Sequence, residues 1–341
     1  MTQQEDTILC ISINEQKSYI GIGTINGFYI FDINNPSKAI FHESIGGVGL
    51  IELKGESQYL LLVGGGPNPF ESPTVACLYD LNNHQFVPSN KYSYARAIRR
   101  IRMTKKDTFI ALENNIDVYC EGKVSTTFDT YDNPNGLFSV NYNSRKFAYP
   151  SITEGTITIH DLDNKTDVAV ISAHEHSIYT LSPSFDSTIV TVSENGTLVR
   201  IWETTSGTLL KEFRRGMNPA HVYCVALSDD GKLVALHSEN GTIHVFSLTE
   251  DIKNQIGWVA KGIGSIKWWF GVENNVSDYA SLIIHDILPK TQTELYFLQS
   301  EYYKIGLFGL NGKYYESQLS LENQQLVDDK SAEIQTIQLN E

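Results

Sequence analysis

A chain of 341 residues is long enough for one large domain or two ordinary ones, so its repeats must decide. With 41% hydrophobic and 19% charged residues, including 18 Tyr and 15 Phe, it can bury a large core and leans toward strands; wholesale disorder is excluded. A net charge of −14 argues against general nucleic-acid binding, which draws its affinity from broad basic surfaces, so any bound anion needs local positive charge.

Residues 1–6, MTQQED, lack the basic start and apolar stretch of a secretory signal and read as the N-terminal tail of a cytoplasmic protein. Cys10, Cys77, Cys120 and Cys224 are scattered without C-x-x-C spacing, so reduced thiols are expected, with neither disulfide nor metal site. The longest apolar run, Tyr59 to Val63, is far short of the roughly 20 residues of a membrane span, so any membrane contact must be peripheral.

One unit recurs along the chain: a short apolar strand, a polar turn, a second apolar strand, a turn ending in Asn-Gly or its like, and a third alternating strand. Residues 8–33, 136–162, 177–204 and 221–248 are four clear copies. Gly155, Gly196 and Gly241 lie 41 and 45 residues apart, the period of a four-stranded propeller blade. Two weaker copies between Gly27 and Gly155 and one near the end bring the number to seven. Asn26-Gly27, Asn195-Gly196, Asp230-Gly231, Asn240-Gly241 and Asn311-Gly312 are read as tight hairpins with glycine at positive φ. No window carries a helical period. The spacing predicts an all-β, seven-bladed WD40-type β-propeller as one domain over 7–321, followed by an acidic C-terminal tail, 322–341.

The most informative stretch is Phe213-Arg214-Arg215-Gly216, at the end of one blade. Neighbouring side chains of a strand point to opposite faces, so adjacent arginines serve two places. Arg214 is expected to face the blade carrying Ser193, Thr197 and Arg200; Arg215 is expected to face the blade carrying Ser238, Thr242 and His244. Guanidinium forks, hydroxyls and an imidazole suit phosphate. The competing reading pairs the arginines with Glu203 and Glu212 on a solvated face.

That FRRG stretch resembles the signature of the PROPPINs, the propellers that bind polyphosphoinositides. LLVGGGPNP (61–69), ALENNIDVY (111–119), NPNGLFSV (133–140) and residues 173–216 extend the resemblance over nearly the whole chain. It implies two sites for phosphatidylinositol 3-phosphate or the 3,5-bisphosphate at the propeller's rim. The first maps to His174, Ser193, Thr197, Arg200 and Arg214. The second maps to Arg215, Ser238, Thr242 and His244; where the family has a basic residue and a serine just before the next strand this chain departs, offering Gly264-Ser265 with Lys261 and Lys267 nearby, so Lys261 and Ser265 are taken for that place. For His174 a structural role inside the blade is the alternative. The resemblance also implies a sixth-blade loop that dips into the bilayer, here a short segment, 249–265, offering Ile252, Ile256, Trp258 and Val259.

The expectation is therefore a phosphoinositide-binding recruiter in autophagy or endosomal and vacuolar trafficking. Such a protein sits peripherally on pre-autophagosomal, endosomal or vacuolar membranes, with an autophagy protein partner such as a lipid-transfer factor, and needs no cofactor. A plain WD-repeat interaction scaffold is the alternative. Enzyme motifs are missing: there is no G-x-S-x-G elbow or H-E-x-x-H, and Gly64-Gly65-Gly66-Pro67 lacks the lysine of a phosphate loop.

Overall fold

A computed structural model describes residues 6–120, 122–182, 186–249, 278–279, 282–299, 303–322, 325–328, 335–337 and 339. Among them there is no helix, and the strands form seven sheets, each built mainly from four strands in antiparallel order, to one of which Asp278–Tyr279 adds in parallel beside Phe213–Arg214. The blades begin at the innermost strands Ile8–Ile13, Val48–Leu53, Arg100–Met103, Ser139–Asn141, Ile178–Leu181, Val222–Leu227 and Thr293–Gln299. The expected seven-bladed architecture is the one observed.

Each blade hides one apolar face against its neighbour, so the core is a ring of packed interfaces. Between blades five and six, Val190, Val199 and Phe213 meet Val222, Val234 and Phe246, and the Phe213 and Phe246 rings stack at 4.8 Å. Among the described residues no N-terminal strand joins the last sheet, and the ring closes through side chains. Ile8, Ile11, Tyr29 and Phe31 of blade one pack on Tyr296, Phe308 and Tyr314 of blade seven.

Three expectations need correction. Gly196 and Gly241 do adopt positive φ, +60° and +71°, in equivalent hairpins, but Gly27 does not. What holds Gly27 to glycine is contact: a Cβ there would lie 1.9 Å from the carbonyl oxygen of Glu43. Second, the region expected as a tail from 322 on includes strand Gln325–Asp328, which pairs with Lys313–Glu322, and Ile337, which is buried in the seam between blades one and seven. Third, the described strand that completes blade six is Leu282–Ile284, paired with residues 243–245, and not a segment directly after 265; shortly before it Asp278–Tyr279 pairs with blade five, while the expected loop, 249–265, lies outside the described residues from 250 on.

The four cysteines are free thiols, and burial pushes the Cys10 thiol up to about 12. Among the described residues no group of His, Cys, Asp and Glu is arranged to hold a metal, and no helix is long and apolar enough to cross a membrane.

Candidate functional site

Blade five ends in strand Leu209–Arg214, which pairs with Leu198–Glu203, placing Arg214 opposite Leu198. The strand's alternation splits the two arginines as their spacing requires. Arg214 is half-buried, whereas Arg215, one residue later, is only 7% exposed.

Their surroundings differ in kind. Arg215 donates Nε to the carbonyl of Gly196 at 2.5 Å and Nη2 to that of Asn218 at 2.6 Å. Its charge also acts on His244 and on Glu239, both in blade six, so it stands at the junction of the two blades. On its other side the strand Leu209–Arg214 pairs in parallel with Asp278–Tyr279, which puts Tyr279 beside Arg214, yet the Arg214 guanidinium makes no hydrogen bond or ion pair among the described residues. Neither arginine takes the acid partners of the competing reading. The Glu212 carboxylate receives Arg200 Nε at 2.7 Å, and Glu203 accepts the backbone N–H of Ser206.

Around Arg214, Ser193 closes the strand Thr188–Ser193 and Thr197 follows the turn through Gly196. Neither hydroxyl has a hydrogen bond among the described residues, so both remain available to a ligand. Arg200 is less free. Besides Glu212 it donates Nη1 to the Ala173 carbonyl at 2.6 Å, which locks it across two strands.

His174 is also committed internally. It is 7% exposed, and its Nε2 lies 2.9 Å from Thr191 Oγ1, which also accepts Trp202 Nε1 at 2.9 Å. Burial, reinforced by Arg200, pushes its pKa down to about 4, so it is neutral at pH 7. The geometry is that of a peg joining the segment that leads into blade five to two of its strands, Thr188–Ser193 and Leu198–Glu203.

In blade six the equivalent hairpin is self-engaged. Ser238 Oγ lies 2.9 Å from Thr242 Oγ1, which lies 3.1 Å from His244 Nε2. His244 Nδ1 is buried without a partner, and burial together with Arg215 pushes this histidine down to about 3. Exposed His285, just after the outer strand Leu282–Ile284, adds a further field on His244 and was not singled out from sequence. Lys261 and Ser265 lie outside the described residues, as do Ile252, Ile256, Trp258 and Val259. Because the outer strand begins only at Leu282, Lys261 and Ser265 do not immediately precede it in the chain.

Gly216, last of the four motif residues, has a φ that any residue can adopt, and a Cβ there would meet nothing within 4 Å. It borders open space beside the arginines, leaving room for an approaching group.

Comparison with known proteins converges on one family. Residues 7–260 match the family model described as PROPPIN. Autophagy-related protein 18e of Arabidopsis thaliana is 32% identical over 254 residues, 72% of this chain and 67% of that protein. The chain spans 56% and 65% of the length of two further curated relatives, an SVP1-like protein 2 of Neurospora crassa and an autophagy-related protein 18 of Dictyostelium discoideum. Among solved structures, Kluyveromyces marxianus Hsv2 superposes with a TM-score of 0.78 at 17% identity, covering 98% of this chain and all of that one. A complex of KlAtg21 with the coiled coil of AgAtg16 superposes at 0.75, with 16% identity and coverage of 97% and 100%.

Proposed function

Because the chain belongs to the PROPPIN family, we propose that it is a phosphoinositide-binding peripheral membrane protein acting in autophagy. Its ligands are phosphatidylinositol 3-phosphate and the 3,5-bisphosphate, held at two rim sites that flank Arg214 and Arg215. The observation that carries this reading is Arg214: in a chain of net charge −14 its guanidinium has no acid partner among the described residues, and the hydroxyls of Ser193 and Thr197 have no hydrogen bond among them either. A guanidinium on a merely solvated face would be expected to sit near one of the many acids. One that is kept apart from them retains its fork for phosphate oxygens.

In the first site Arg214, Ser193 and Thr197 take the phosphate, while His174 and Arg200 set the position of the strands that carry them. In the second, Arg215, Ser238, Thr242 and His244 take it after leaving their internal partners, and Lys261 and Ser265 are assigned to its outer wall. The long blade-six connection, with Ile252, Ile256, Trp258 and Val259, supplies apolar contact with the bilayer. Each contact is weak alone, and their joint action on one surface gives reversible attachment. The membranes are those of autophagy and of endosomal and vacuolar traffic, and the other blades hold protein partners, a lipid-transfer factor among them. Flotation with liposomes that contain or lack 3-phosphorylated inositol lipid tests the proposal: binding must require that lipid. Equal binding to both, or to neither, favours a plain protein scaffold.

A further inference from the structure

A second set of unsatisfied polar groups lies away from the rim, at one mouth of the central channel. Deep in the channel the charges are paired. Arg102 Nη1 lies 2.6 Å from Glu52 Oε2 and 3.1 Å from Ser12 Oγ, and the Met103 N–H donates to Glu52 Oε1 at 3.1 Å. At the opposite mouth Asp229 is taken by Lys17 and Asp230 by Tyr303 and Ser228, which leaves Glu15 there with no hydrogen bond or ion pair among the described residues. These pairings are what buried or confined charges require of a stable fold.

The near mouth differs. Arg100, Glu294, Tyr179 and Tyr223 are the first or second residues of four innermost strands, in blades three, seven, five and six. All four line one cavity of about 380 Å³ and all are half-buried. Among the described residues the Arg100 guanidinium, the Glu294 carboxylate and both tyrosine hydroxyls form no hydrogen bond or ion pair. Glu294 feels the charge of Arg102 first and of Arg100 second, and with Arg102 it also lines the cavity on the opposite side, yet it closes into a pair with neither. Arg99, beside them, is already turned to Glu113 at 3.8 Å.

We propose that this mouth is a peptide-binding site, which takes an extended segment of a partner protein carrying an acidic side chain next to a basic one. Arg100, Tyr179 and Tyr223 supply donors for the carboxylate, and Glu294 accepts the neighbouring cation or amide. The charge balance decides against a polyanion. With Arg102 and Arg99 already neutralised, Arg100 and Glu294 balance each other, Glu239 adds a negative charge that acts on both Tyr179 and Tyr223, and the two carboxylates would repel a phosphate ester or nucleic acid. The volume lies at the lower end of ligand cavities, enough for two or three residues of an extended chain.

A phage-displayed library of random heptapeptides, panned against the full chain, is the probe, followed by fluorescence anisotropy of the selected peptides. The expected result is enrichment of an acidic residue adjacent to Lys or Arg. Binding of such a peptide should weaken at least about tenfold with Arg100→Ala and with Glu294→Ala, and be unaffected by Arg214→Thr. Arg100→Lys and Glu294→Gln serve where an alanine variant fails by circular dichroism. Selection without a charged pair, retention of binding in the Arg100 and Glu294 variants, or displacement by free glutamate as effectively as by the peptide would overturn the assignment.

Discussion

The side chain of Arg215 is bound to the hairpin of its own blade, with Nε 2.5 Å from the carbonyl oxygen of Gly196. Arg214, its neighbour, is held in the sheet through its backbone, between Leu198 and Tyr279, but its guanidinium makes no hydrogen bond or ion pair among the described residues. Two substitutions at one motif therefore separate stability from binding. Arg215→Thr removes two charge-assisted hydrogen bonds and should lower the unfolding free energy by about 1.5 to 3 kcal/mol or more. Arg214→Thr should stay within about 0.5 kcal/mol of the parent. Both should lose vesicle attachment. Urea unfolding beside co-sedimentation with phosphatidylinositol 3-phosphate vesicles checks this, and equal unfolding midpoints would count against the asymmetry.

Thr191 offers a test of His174 as a peg. Its hydroxyl serves both His174 Nε2 and Trp202 Nε1. Thr191→Val keeps the shape and leaves two buried nitrogens unpartnered, at about 1 to 3 kcal/mol each. A loss of that size in urea, with headgroup binding per folded molecule preserved, is the expected outcome.

Acid should weaken the fold before it reaches the carboxylates. His174 and His237 are pushed down to about 4, and His244 to about 3, chiefly by burial. In the unfolded chain such groups take up protons below a pH of about 6.5. Below that value the unfolded state holds more protons than the native one, so stability present at neutral pH is lost as pH falls toward 4. Each histidine contributes up to about 2 kcal/mol of that loss at pH 5. Replacing His244 by Leu should shrink the difference in unfolding free energy between pH 7.5 and pH 5 by a comparable amount. An unchanged difference would exclude His244 from the effect.

Glycines 196 and 231 both have positive φ, +60° and +67°, but only one is hemmed in. A Cβ at Gly196 would lie 1.9 Å from the Ala220 carbonyl oxygen, whereas at Gly231 nothing is within 4 Å. Gly231→Ala should cost about 1 kcal/mol from backbone strain alone. Gly196→Ala must also displace the backbone that leads into blade six, so a loss beyond about 3 kcal/mol is expected in thermal or urea unfolding.

The propeller was legible because its repeat is written in alternation and turn residues: SENGT occurs at 193–197 and again at 238–242, and both copies form the same turn. The split of Arg214 and Arg215 followed from the two-residue period of a strand. Partner choice was not legible. Glu212 lies two residues from Arg214 in the chain, but its cross-strand neighbour is Arg200, so register and not proximity in sequence assigns the ion pair. The limits of blade six were misread for another reason. Residues 266–270, IKWWF, have the aromatic, apolar makeup of a strand, whereas the strand that pairs with Thr242–Ser247 is Leu282–Ile284. Blade seven's last strand was missed because Gln325–Asp328, QLVD, is only four residues long and carries no turn glycine or repeat that marks it as a strand.

That longer connection bears on membrane attachment. The chain from 248 to 281 contains Ile252, Ile256, Trp258 and Val259, and beyond them Trp268, Trp269 and Phe270. Tryptophan is favoured at the depth of the lipid headgroups, and a fully inserted large apolar side chain contributes about 1.5 to 3 kcal/mol. Under the proposed function these residues act only where a bilayer is present, whereas Arg214 acts on the headgroup itself. Ile256→Ala with Trp258→Ala should therefore weaken vesicle flotation by at least about tenfold and leave the affinity for a soluble inositol 1,3-bisphosphate unchanged. Arg214→Thr should reduce both. Adding Trp268→Ala and Trp269→Ala should deepen the flotation defect if the whole connection meets the membrane, and change nothing further if contact ends near Val259. Should the Ile256 and Trp258 variant float like the parent while Arg214→Thr does not, attachment rests on the headgroup sites alone and the apolar contact is dispensable.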